Sequence, residues 1–144
     1  MDPHIPEITN VIQLTVAPVF MLTAVGTLIA ALNIRLGRAV DRRRVLEERL
    51  QTPAGRQNED LREELRQIAR RIRYVYRSIV CSVVSGIFVC LLIAAAFVGA
   101  FVAADLTRTV AALFVLAVTS LTFSLLFFLR EIFLAVSTPR HVPK

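Results

Sequence analysis

Nine arginines crowd into two short segments of this chain. Arg35, Arg38, Arg42, Arg43 and Arg44 form one cluster, and Arg70, Arg71, Arg73 and Arg77 form the other. A guanidinium is planar and permanently charged, and its N–H fork matches two oxygens of a carboxylate or phosphate at once. Clustered guanidiniums therefore bind anions by charge and by bidentate hydrogen bonds. One acid, Asp41, lies among them. At three-residue spacing on a helix it can pair with Arg38 and Arg44 and hold part of the cluster rigid. Arg35, Arg38, Asp41, Arg42, Arg43, Arg73 and Arg77 are thus the candidate site for an anionic lipid or a phosphate-bearing ligand. The plainer reading of the same residues is topology control with general headgroup contact, about 1 kcal/mol for each basic residue near an anionic surface.

Other chemistry finds little footing. The sequence has no HExxH, no GxSxG, no phosphate-binding glycine loop and no paired-cysteine spacing. Its only histidines are His4 and His141. The expectation is a protein that is not an enzyme, with no catalytic residue, metal or cofactor. Cys81 and Cys90 are nine positions apart, which puts them on opposite sides of one helix, so they cannot bridge within it.

The elements that must position the arginines are apolar. Ile8 to Ile34, Ser78 to Ala104 and Thr109 to Leu129 carry no charged side chain over 27, 27 and 21 residues. About 20 apolar residues cross a bilayer as a helix. With 56% hydrophobic residues and a mean hydropathy of +0.63, the chain reads as a single membrane domain over residues 1–144. The expected spans are about 12–34, 78–104 and 109–129. The N-terminal residues lack the basic segment of a signal peptide, so the first span is expected to stay in the mature protein. Pro18 suggests a bend or break, with a short interfacial helix before it.

Between the first two spans, residues 35–77 read as an antiparallel helical hairpin. Thr52-Pro53-Ala54-Gly55 is its turn, and Asn58 is a candidate N-cap followed by Glu59 and Asp60. Leu61, Leu65, Ile68, Ile72, Val75 and Ile79 recur in steps of four and three, the seam of a coiled coil. Leu36, Val40, Leu46 and Leu50 make a rougher stripe on the first arm. Asp105-Leu106-Thr107-Arg108 links the second and third spans, and the tail from Ser137 is expected to be loose.

The net charge of +6 is concentrated. Thirteen of 17 basic residues lie between Arg35 and Arg77, the position of a cytoplasmic loop under the positive-inside rule. That places the N-terminus outside, the hairpin and C-terminus in the cytoplasm, and speaks against nucleic acid as the partner. No ionisable residue lies deep in a span, which argues against a proton-coupled path. The remaining span candidates for helix packing or a polar path are Gln13, Pro18, Thr23, Gly26, Ala30, Asn33, Ser82 and Gly86. Thr23, Gly26, Ala30, Asn33 and Gly37 form one small-residue stripe. Ser78, Ser82, Gly86, Cys90 and Ala94 form another. The two are expected to face each other or a second copy of the chain.

Two segments resemble a known family. Ile12-Gln13-Leu14-Thr15-Val16-Ala17-Pro18-Val19-Phe20 looks like its opening motif. Asn33-Ile34-Arg35-Leu36-Gly37-Arg38-Ala39-Val40-Asp41-Arg42 looks like its R-x-x-R-x-x-D-R pattern. The family is domain of unknown function 2721, small bacterial integral membrane proteins. The resemblance covers most of the chain and implies an inner-membrane protein with a helical hairpin. It implies no activity, but points to Gln13, Pro18, Asn33, Arg35, Arg38, Asp41 and Arg42 as positions with a shared role.

The expected fold is an all-α membrane protein: three transmembrane helices with a cytoplasmic antiparallel helical hairpin between the first and second. The expected function is structural or accessory, in a homo-oligomer, with the hairpin engaging membrane lipids, a cytoplasmic protein partner or itself. The alternative is a small oligomeric channel or transporter lined by span polar residues.

Overall fold

A computed structural model describes residues 4–102 and 105–136; outside the turns at 51–52, 57–58 and 105–106 they are helical, with no strand among them. Helix α1 runs His4–Leu50, α2 is the single turn Pro53–Arg56, α3 runs Glu59–Val102 and α4 runs Thr107–Val136. The three long helices have the length and apolar composition to cross a membrane. At 1.5 Å per residue, the 47 residues of α1 extend about 70 Å, more than twice the hydrocarbon thickness of a bilayer. The apolar stretches are therefore parts of longer helices that continue into the charged segment. The tail read as loose, Ser137 to Lys144, lies outside the described residues.

Of the bend or break expected at Pro18, the break does not occur, and no separate short helix precedes it. α1 passes through Pro18 without interruption, and the ring is buried. Proline removes one backbone donor and frees the carbonyl four residues back. Long apolar helices tolerate this where neighbouring helices and local hydroxyls compensate. The carbonyl freed by Pro18 is that of Leu14; the nearby Thr15 hydroxyl donates instead to the Ile12 carbonyl at 3.0 Å.

Inward residues recur every seven positions on each long helix. On α1 they are Pro18, Val25 and Leu32, then Leu46 after half-buried Ala39. On α3 they are Ile68, Val75, Ser82 and Val89, interleaved with Ser78, Ser85 and Leu92. On α4 they are Ala117, Ser124 and Glu131. A seven-residue repeat holds one face to its neighbours with only about 20° of drift per repeat. This period corrects two sequence readings. Steps of four rotate the face by about 40° each, which carries the row Ser78, Ser82, Gly86, Cys90, Ala94 off the interface. Cys90 and Ala94 are accordingly exposed. On the first arm Val40 points outward, 46% exposed, and Ala39 takes the inward position.

The described residues form two compact units. One combines α1 up to Ile29 with Cys81–Phe123. Its core holds Val25, Val89, Leu92 and Ala117. Gly86 faces Leu22 and Val25 of α1, which lie 3.8 and 3.7 Å from where a Cβ would stand. Hydroxyls join α3 to α4: Ser85 donates to the Ala117 carbonyl and Ser120 to the Cys81 carbonyl, each at 2.8 Å. Such bonds satisfy polar groups in a medium without water.

The second unit combines Ala30–Val80 with the chain from Ser124. Leu32, Leu46, Ile68 and Val75 are buried in it. Ser78 and Ser124 form a reciprocal lock, each hydroxyl donating to the other's backbone carbonyl at 2.8 Å. The hairpin turn is held by Thr52, whose hydroxyl accepts from the Gly55 N–H at 3.2 Å and donates to the Arg49 carbonyl at 2.7 Å. A Cβ on Gly55 would collide with that Arg49 carbonyl, so the position needs glycine. Asn58 caps α3 as expected: its side-chain oxygen accepts from the N–H groups of Asp60 and Leu61 at 3.1 and 3.3 Å.

Candidate functional site

Where α1 enters the hairpin, its inward positions change from large apolar groups to Ala39 and its flanks to Arg35, Arg38 and Arg42. On the returning arm, α3 presents Glu64, Gln67, Ile68 and Arg71. The end of α4 adds Glu131. These residues line a cleft of about 450 Å³ within the second unit. Ala39, a small residue between Leu32 and Leu46 in the seven-residue repeat, lines it.

Glu131 is the anchor. Its side chain is 2% exposed and its two oxygens are divided between two arginines. Arg35 Nη1 donates to Oε2 at 3.0 Å. Arg71 donates from Nη2 at 2.9 Å and Nε at 3.3 Å, both to Oε1. The Arg35 guanidinium also lies 4.9 Å from the centre of the Phe128 ring, a cation–π contact from the turn of α4 before Glu131. A buried carboxylate is tolerated when paired and fully hydrogen-bonded, and this one is. Three elements are thereby tied together at one carboxyl group.

Farther along the hairpin, Arg42 Nη2 and Nε donate to a single oxygen of Glu64 at 2.6 and 3.1 Å. Both partners are substantially exposed, 52% and 41%, so this pair adds little stability. Arg38 has no ion pair among the described residues. The cleft thus carries four guanidiniums against two carboxylates, a formal excess of two positive charges. One belongs to the Arg35–Glu131–Arg71 group and the other to Arg38.

The sequence-derived arginine set is divided by the structure. Arg35, Arg38 and Arg42 line the cleft. Arg43 turns instead to Glu47 one turn on, Nε to Oε1 at 2.7 Å. Arg73 and Arg77 are exposed and outside the cleft lining. The expected pairing of Asp41 with Arg38 and Arg44 is not formed: Asp41 is exposed and has no ion pair among the described residues. An exposed pair on one helix is worth only about 0.2–0.5 kcal/mol, too little to draw Arg38 out of the cleft. Sequence reasoning left Glu131 out, along with its partner Arg71 as a site residue. The available signal was spacing, since Glu131 falls seven residues after Ser124 and fourteen after Ala117.

The span candidates scatter. Ser82 and Pro18 are buried and Gly86 is half-buried against α1. Gln13, Thr23, Gly26, Ala30 and Asn33 are exposed, and no atom lies within 4 Å of where a Cβ on Gly26 would stand.

The seven-residue repeat of inward groups, the helix lengths and the arginine-rich hairpin define a class: all-helical chains with three helices able to cross a membrane. Residues 15–141 match the family described as protein of unknown function, DUF2721. The chain belongs to that family. Neither the curated proteins nor the solved structures compared with it gave a match.

Proposed function

We propose that this is a bacterial inner-membrane protein of accessory rather than enzymatic role, whose hairpin engages anionic lipid on the cytoplasmic side. The observation that supports this best is the cleft with its excess of guanidinium over carboxylate. In this reading Arg35, which directly follows the first apolar stretch, and Glu131, one residue beyond Arg130 at the end of the third, stand at the edge of the hydrocarbon, where lipid phosphates lie. Thirteen basic residues between the first two spans favour the cytoplasmic side for the hairpin. The exposed row Thr23, Gly26, Ala30 and Asn33 is left for contact with a second copy. The channel alternative draws less support. Ser78, Ser85, Ser120 and Ser124 spend their hydroxyls on carbonyls of neighbouring helices rather than on a water-filled path.

The test is lipid retention by the purified full-length chain, read by native mass spectrometry from detergent. Anionic lipids should be retained over zwitterionic ones, and the preference should fall in Arg38→Ala plus Arg42→Ala. Equal retention of both lipid classes by the unaltered chain overturns the proposal. Labelling of single cysteines placed in the hairpin, in sealed cells and in permeabilised cells, tests sidedness independently.

A further inference from the structure

Resting on the reading of the cleft as an anion site, we infer that its preferred ligand is a phosphate monoester in its dianionic form. The argument starts from charge. The Arg35–Glu131–Arg71 group keeps one net positive charge, the Arg42–Glu64 pair none, and Arg38 one. A phosphodiester carries a single negative charge and leaves one of these unmatched. A monoester carries about −1.5 to −2 at pH 7 and matches both.

Donor geometry points the same way. Arg38 offers its whole fork. Arg42 keeps Nη1, Arg71 keeps Nη1 and Arg35 keeps Nη2 and Nε beyond the bonds they make to the carboxylates. These free N–H groups come from both arms of the hairpin. Three terminal oxygens of a monoester can accept from several of them at once, whereas a diester has two such oxygens. Both oxygens of Glu131 are already occupied by guanidinium, so that carboxylate acts as a fixed counterion that orients Arg35 and Arg71. The volume of about 450 Å³ falls within the range of small-ligand pockets, about 300–1,000 Å³. Ala39 and Ile68 supply the apolar part of the cleft lining, so the group carrying the phosphate meets apolar surface.

The experiment uses the full-length protein in nanodiscs of zwitterionic lipid, doped with phosphatidic acid (a monoester) or phosphatidylglycerol (a diester), with inorganic phosphate as a soluble competitor. At pH 8 phosphatidic acid is expected to bind about tenfold more tightly, which corresponds to one matched charge at about 1.4 kcal/mol. The preference should shrink near pH 5.5, because the second ionisation of a monoester lies at about pH 6. Glu64 and Glu131 are the other acidic groups lining the cleft, and both are paired with its arginines. A39L should remove the preference by taking up cleft volume without altering any charge. Arg38→Gln, at an exposed position, should remove it by deleting the unpaired cation.

Displacement of phosphatidic acid by millimolar inorganic phosphate would assign the site to a soluble monoester, and its failure to displace would assign it to the lipid; both support the inference. Equal binding of the two lipids, above a zwitterionic background and unaffected by A39L, overturns the monoester inference while leaving the anion reading intact. Binding of neither above that background overturns both.

Discussion

The Glu131 group makes a sharp energetic prediction. Its carboxylate is 2% exposed, and its neutralisation rests on Arg35 and Arg71, whose side chains are 44% and 34% exposed. Removing one arginine leaves the other in place. Water reaches both guanidiniums and screens the loss, so Arg35→Ala or Arg71→Ala should each destabilise by about 1–2 kcal/mol, with Arg71 the larger because it donates two bonds. Removing both strands a buried charge, and the loss should rise to about 3–5 kcal/mol. Adding Glu131→Leu to the double variant removes the stranded charge and fills the space with apolar volume, so most of that loss should return. The chain has no tryptophan, so the assay is equilibrium unfolding in mixed detergent micelles followed by circular dichroism. If the triple variant is no more stable than the double, desolvation of Glu131 does not govern this site and the account given for it is wrong.

Other consequences are smaller and independent. Gly55→Ala should lower hairpin stability more than an ordinary exposed substitution, because the new methyl group meets the Arg49 carbonyl; proteolytic nicking near residue 55 should accelerate, while Ala54→Gly at the neighbouring position should not reproduce the effect. Ser78→Ala should cost about 0.6 kcal/mol, the average for hydrogen bonds between membrane helices, and Ser124→Ala added to it should cost less than the sum, since the two hydroxyls share one lock. Asp105 is held below the ordinary carboxylate range by its hydrogen bonds with the Thr107 side chain and backbone. A depressed value contributes stability at neutral pH that is lost as pH falls through it. The difference in melting temperature between the unaltered chain and Asp105→Ala should therefore be present near neutrality and vanish in acid.

Much of this architecture is legible from residue order. Charge-free runs of 27, 27 and 21 residues require helices wherever water is absent, because only a helix satisfies its own backbone groups. Thr52, Gly55 and Asn58 mark the hairpin turn through local hydrogen bonding, which needs no distant partner. The arginine clusters are equally visible as an excess of charge. Local rules overstated Pro18, through which α1 runs unbroken. They failed again at Asp41, where a short-range pair is too weak to hold Arg38.

The membership of the cleft belongs to three-dimensional packing. Whether Arg43 or Arg71 reaches it depends on rotation about a helix axis, and a one-residue change turns a side chain by about 100°. That rotation is set by the seven-residue repeat of inward groups along α1, α3 and α4. The repeat puts Ala39 where a gap can open, turns Asp41 and Arg43 away, and carries Glu131 inside. In a linear reading Glu131 is merely the second charge, after Arg130, beyond an apolar run. Its burial follows from α4 continuing to Val136 and from two arginines, 96 and 60 positions away in sequence, arriving from separate helices to neutralise it.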